Sequence, residues 1–100
     1  MKRRDVFIDP VAQNDLNHIF DVIAEGAGRT IAAAYVEKLM DHCLKFDLAS
    51  ERGARRDDIR PGLRITGYRR RITIAITVSD TQMRILRIFY GGVDWEPLLA

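Results

Sequence analysis

The apolar residues of this 100-residue chain change period near its middle, and that change limits the folds open to it. In the first half they recur every three or four positions, the spacing of a helix with one buried face. In the second half they recur every second position, the spacing of a strand. Ala12, Leu16, Ile19, Phe20 and Ile23 share one face, and Asn14, Asp15, His18, Asp21 and Glu25 fall opposite them. Asp9 is placed to cap this helix and Pro10 suits its first position, so it is predicted to run from Pro10 to near Gly26. Gly26-Ala27-Gly28 interrupts the pattern and Thr30 offers a second cap. Ala32, Tyr35, Val36, Leu39, Met40, Cys43 and Phe46 then mark a second face, predicting a helix to about residue 49. Two amphipathic helices joined by so short a turn lie side by side as an antiparallel hairpin.

The hairpin needs a cover, and the second half supplies one. Leu63 and Ile65 alternate with Arg64 and Thr66, and Ile72, Ile74, Ile76 and Val78 alternate with polar or small residues. Ser79-Asp80-Thr81-Gln82 has turn chemistry, and residues 83–90 form a third strand, closed by Gly91-Gly92. Short connections make these three strands an antiparallel meander. The last carries Ile85, Leu86, Ile88 and Phe89, apolar on both sides, and is expected at the centre of the sheet. Residues 3–8, with Val6-Phe7-Ile8 stopped by Asp9-Pro10, form an N-terminal strand. The stretch 50–61 is expected to be irregular and too polar to pack. The predicted fold is α+β: an N-terminal strand, an antiparallel helical hairpin, then a three-stranded antiparallel meander, forming one small sheet in one domain over residues 1–100.

Charge is distributed unevenly. Residues 1–50 carry six basic and eight acidic side chains, residues 51–100 ten and six. Between Arg52 and Arg71 stand eight arginines and no lysine, against Asp57 and Asp58. Guanidinium favours forked contacts with carboxylate or phosphate, so this stretch reads either as a docking surface for an anion or as a solvated segment with local Arg–Asp pairs. Alternation predicts that Leu63, Ile65, Leu86 and Ile88 face the helices, leaving Arg64 and Arg87 together on the far face and Tyr90 opposite them. Trp95 is either a partner anchor or folds back on the core with the tail.

Other chemistries find little support. Cys43 lies on an apolar helical stripe and has no cysteine to pair with, which points to a reducing cytosol and a core role. His18 and His42 fall among charged residues on the outer helix faces, so no metal and no cofactor are expected. No apolar run approaches the about 20 residues of a membrane span. The basic start lacks the apolar stretch of a signal peptide, so the expected location is cytoplasmic. No nucleophile triad, phosphate loop or spaced acid pair is present.

Four stretches in order carry a resemblance. Asp9-Pro10-Val11-Ala12-Gln13-Asn14-Asp15-Leu16, Ala34-Tyr35-Val36-Glu37-Lys38-Leu39, Arg56-Asp57-Asp58-Ile59-Arg60-Pro61-Gly62-Leu63-Arg64 and Ile88-Phe89-Tyr90-Gly91-Gly92-Val93-Asp94-Trp95 are similar to the ParE toxins of type II toxin–antitoxin systems, in the RelE/ParE superfamily, along nearly the whole chain. The resemblance implies a toxin that inhibits DNA gyrase and growth, supports plasmid stabilisation, and is neutralised by a ParD-like antitoxin from an adjacent gene. On this reading the chain is not an enzyme and binds no specific nucleic-acid sequence. Arg60, Arg64, Arg70, Arg71, Arg87 and Trp95 are then the expected antitoxin- or target-binding residues. RelE-type relatives imply a different role, ribosome-dependent cleavage of messenger RNA, for which Arg64, Arg87 and Tyr90 are the candidate catalytic residues. A degenerate, non-toxic binding module is a third possibility.

Overall fold

The computed structural model describes residues 5–45 and 53–99. Its elements are β1 (Asp5–Ile8), α1 (Pro10–Ala27), α2 (Arg29–Leu44), β2 (Ala54–Arg55), β3 (Leu63–Tyr68), β4 (Ile72–Val78), β5 (Gln82–Tyr90) and a final turn of helix, α3 (Glu96–Leu99). The strands form one sheet in the order β1-β5-β4-β3-β2. β3, β4 and β5 are the expected antiparallel meander, and β1 lies parallel to β5, so β5 is interior. This is the α+β fold that the two periodicities dictate. The predicted strand residues 3–4 and the predicted end of the second helix at residues 46–49, with Phe46, lie outside the described residues.

Helix boundaries follow local chemistry with two departures. Pro10 opens α1 as expected, but the Asp9 carboxylate makes no capping bond. It accepts a hydrogen bond from Nη1 of Arg84 at 2.7 Å instead, tying the start of the helix to β5. Gly28, at φ 94°, ends α1 with its N–H on the Ala24 carbonyl at 2.9 Å. The same glycine is the N-cap of α2, so Thr30 is not a cap. Only a residue without a Cβ enters this conformation cheaply.

The sheet is buried on both faces, as the two-sided apolar content of β5 implied for that strand; the second core that covers the rest was not foreseen. One face packs Ile72, Ile74, Ile76, Met83, Ile85 and Ile88 against Ala12, Leu16, Ile19, Leu39 and Cys43 of the helices. Burial of Cys43 pushes its thiol up to about 12, so it is a core residue and not a nucleophile at neutral pH. The other face carries a smaller core of Leu63, Ala75, Leu86, Phe89 and Leu99, flanked by Ile59, Ile65 and Trp95. Each fully buried aliphatic side chain contributes about 1.5–3 kcal/mol relative to exposure. The stretch expected to be too polar to pack therefore packs: Ile59 covers the second core, and β2 adds a two-residue edge to β3. Gly53 makes this pairing possible, since a Cβ there would stand 2.6 Å from the Ile65 carbonyl oxygen.

A β-bulge sets the side chains of β5. Ala75 lies opposite Arg87 while Ile76 lies opposite Ile85, so Leu86 is the extra residue. Two residues then oppose one, and strict alternation fails at this point.

Candidate functional site

The arginines separate into those held by carboxylates and those that are not. Arg87 donates from Nε to Oδ2 of Asp15 at 2.9 Å and from Nη2 to Oδ1 at 3.1 Å, a forked pair. The Ile88 N–H donates to the same Oδ2 at 2.9 Å. Asp15 thereby takes the place of a neighbouring strand beyond Ile8, where β1 ends, and blunts the open edge of β5. These bonds raise the pKa of the Arg87 guanidinium against the opposing effect of burial, so it is permanently charged. Asp15, expected among solvated residues of α1, is a structural anchor. Arg84 holds Asp9, and Arg55 holds Asp57 at 3.1 Å. Arg56 bonds both oxygens of Asp58 at 3.0 Å and Glu96 at 3.2 Å, with its guanidinium 5.5 Å from the Trp95 ring centre. Bonding from Arg56 lowers the pKa of the Asp58 carboxyl below its ordinary value. At Arg55 and Arg56 the local-pair reading of the arginine run holds.

The predicted grouping of Arg64 with Arg87 is overturned. Leu63 and Ile65 belong to the second core, so alternation puts Arg64 on the helix side of the sheet, opposite Ile76. Arg87 stands opposite Ala75 on the other face, with its guanidinium 4.9 Å from the Phe89 ring centre. The error lies with Arg64: a sheet with two cores makes Leu63 and Ile65 compatible with either face, whereas Arg87 does lie away from the helices as predicted, and the bulge displaces only Leu86 from the helix face expected for it. Tyr90, expected opposite Arg64, shares its face but not its position. It pairs with Ile72, whereas Arg64 pairs with Ile76, four residues along the same strand and about 13 Å away. Arg64, Arg87 and Tyr90 therefore do not converge.

The remaining candidates lie in different places. Arg60 is exposed and lines a cleft of about 290 Å³ with Asp9, Val11, Leu86, Arg87 and Leu98. Trp95 is half-buried against the second core, the tail-packing alternative. Arg70 and Arg71 sit in the β3–β4 turn with Arg69, which sequence reasoning did not select.

That turn is where unneutralised charge gathers. Tyr68 pairs with Ile72, so Arg69, Arg70 and Arg71 form the whole connection, and all three are exposed. Among the described residues none of the three is in an ion pair with a carboxylate. Arg69 and Arg70 have φ of 51° and 62°. Turns of this hand favour Asn and Gly, and a residue with a Cβ gives up about 1–2 kcal/mol there. The Gly91 N–H donates to the Arg71 carbonyl at 2.8 Å, binding the tip to the end of β5.

Beneath the tip lies a bed of aromatic rings on the helix side. The Arg69 guanidinium is 5.3 Å from the Tyr68 ring centre. His42 is tilted on Tyr68 with centroids 4.7 Å apart, and Tyr35 meets Tyr68 edge-on at 6.4 Å. His42, expected on a solvated face, is half-buried here because α2 leans its His42 side on β3. Burial raises the Tyr35 phenol above its ordinary range; Tyr90 and Tyr68 add to the rise, while Arg69 and Arg71 oppose it. Its hydroxyl is buried without a hydrogen-bond partner among the described residues. Also among the described residues, no three His, Cys, Asp or Glu converge on a point that could hold a metal ion. No helix is long and apolar enough to cross a membrane.

Comparison with known proteins places the fold. No protein-family model matches the sequence, and no curated protein does. Among solved structures, a chain of the chromosomal ParDE toxin–antitoxin system from P. aeruginosa is similar, with a TM-score of 0.77 and 22% identity over 89% of this chain and 97% of that one. A chain of the toxin–antitoxin complex RelBE2 from Mycobacterium tuberculosis is similar at a TM-score of 0.53 and 19% identity, over 88% and 98% of the two chains. The fold of this protein is RelE/ParE-like, as the sequence resemblance implied.

Proposed function

We propose that this protein is the toxin of a type II toxin–antitoxin pair, that it inhibits DNA gyrase, and that an antitoxin of ParD type neutralises it. The shared fold and the four sequence stretches support a toxin of this superfamily. The choice of gyrase over messenger RNA rests on one observation: Arg64, Arg87 and Tyr90, the residues that the RelE resemblance implies for RNA cleavage, do not meet. Cleavage by the 2′-hydroxyl requires a cation to hold the phosphorus oxyanion and a group beside it to move protons. Arg87 is committed to Asp15, and Tyr90 lies on the other face. An inhibitor that holds another macromolecule needs no such set.

The discriminating experiment adds purified protein to gyrase with relaxed plasmid, and separately to ribosomes carrying messenger RNA. Loss of supercoiling with accumulation of cleaved plasmid is expected, with messenger intact. Cut messenger with normal supercoiling would establish the RelE-type reading. That alternative draws on the gathering of His42, Tyr35, Tyr68 and Tyr90 near Arg69 and Arg71, where groups able to move protons do meet cations. A chain inert in both assays would be a non-toxic binding module. The partner reading carries its own checks: a short neighbouring gene for a ribbon-helix-helix protein with an acidic tail, and slower association with that protein after Arg64→Glu or Arg70→Glu, with a shallower dependence on salt.

A further inference from the structure

We propose that the β3–β4 tip, Arg69-Arg70-Arg71 on its aromatic bed, is a sequence-independent site for the phosphate backbone of duplex DNA. Four observations converge on it. The three guanidiniums are consecutive, exposed and, among the described residues, outside every carboxylate pair, whereas Arg55, Arg56, Arg84 and Arg87 each hold an acid. Arg69 and Arg70 occupy left-handed backbone where Asn-Gly would be favoured, so arginine is present there at the expense of the turn. The tip is pinned rather than loose, through the Tyr68–Ile72 pair and the Gly91 N–H on the Arg71 carbonyl. Arg69 is further oriented by the Tyr68 ring, which His42 and Tyr35 buttress from behind.

Shape decides the partner. Consecutive side chains on a tight turn splay apart, so one ligand touching all three must be concave and anionic on both flanks. A duplex groove is that surface: about 12 Å wide on the major side, lined by two phosphate rails carrying about one charge per 1.7 Å of axis. An acidic helix is convex and reaches one or two of the three at a time. Guanidiniums so placed give contacts that position a protein without reading bases. The site stands independently of the gyrase proposal, because duplex binding is measured without gyrase.

The test uses the full chain and a fluorescent 20-base-pair duplex, with anisotropy read at several salt concentrations. The double variant Arg69→Asn/Arg70→Gly supplies the residues that the backbone prefers. It is expected to melt at the same temperature or higher, to bind DNA at least about tenfold more weakly, and to lose about two from the log–log salt slope. Arg29→Ala, which removes an exposed cation on α2 far from the tip in sequence, is expected to leave both binding quantities nearly unchanged. Equal affinity and slope for the double variant would overturn the site, as would an equal loss in Arg29→Ala, which would mean diffuse charge attraction. Binding of an acidic helical peptide, lost in the double variant while duplex binding is absent from the parent chain, would overturn it in favour of a protein ligand. A variant that unfolds would show that the arginines support the turn, contrary to the proposal.

Discussion

Arg87 and Arg70 stand on the same sheet and differ in almost every physical respect. Arg87 is forked onto Asp15 and half-buried; Arg70 is exposed, on strained backbone, and in no carboxylate pair among the described residues. The first belongs to the scaffold: it fastens α1 to the unpaired edge of β5 at a point where a bulge weakens the ladder. The second contributes little that a folded chain requires. A run of arginines is thus two populations, and the neighbouring acids separate them. Among the described residues, Arg55, Arg56, Arg84 and Arg87 hold acids, and Arg69, Arg70 and Arg71 hold none.

Substitutions can break this division, the largest effect coming from the scaffold. Asp15→Ala leaves a guanidinium and the Ile88 N–H unsatisfied together, and is expected to destabilise the chain by about 2–3 kcal/mol in urea unfolding. Loss of less than about 0.5 kcal/mol would place Arg87 with the available group. Arg87→Lys keeps the charge but not the fork, and about 1 kcal/mol of loss is expected by the same measurement. Acid titration gives a smaller signature. Asp58 is held in its charged form by Arg56 in the fold, so its contribution is present above the ordinary carboxylate range and fades as pH falls through the lowered folded value. Asp58→Asn is expected to flatten the acid side of the stability profile slightly, and an unchanged profile would mean that the pair is solvated away. Tyr35→Phe removes a buried hydroxyl that has no partner among the described residues, so a change near zero or a slight gain is expected. A loss above about 1 kcal/mol would mean that the hydroxyl is satisfied in solution.

Much of the framework was legible because it depends on period. Ile72, Ile74 and Ile76 alternate against one side, Leu16, Ile19 and Leu39 fall on helical faces, and both kinds of residue are buried where those periods place them. The interior position of β5 was visible in its double-sided apolar content. Side-chain direction at the candidate site was not. Leu63 and Ile65 look the same whether a strand faces helices or a second small core, and that core is built partly by Leu99 from the far end of the chain and by Ile59 from a segment that looked too polar to pack. An extra residue in β5 has no mark in an all-apolar run such as Ile85-Leu86. Pairing with distant acids was equally hidden: Asp15 and Arg87 are 72 residues apart. Arg70 and Arg71 of the tip were among the expected binding residues, but Arg69 and the tight turn were not legible, because arginine at two positive-φ positions runs against turn preference.

The division of the arginines is open to direct observation in the arginine Nε–H signals of the 15N-labelled protein. Slow exchange with water is expected for Arg56 and Arg87, whose Nε–H groups are bonded to Asp58 and Asp15, and fast exchange for Arg69, Arg70 and Arg71. On addition of a short DNA duplex, the tip signals are expected to shift while those of Arg56 and Arg87 stay in place. Uniform exchange across all five, or shifts at Arg87 with none at the tip, would contradict the separation on which this account of the molecule rests.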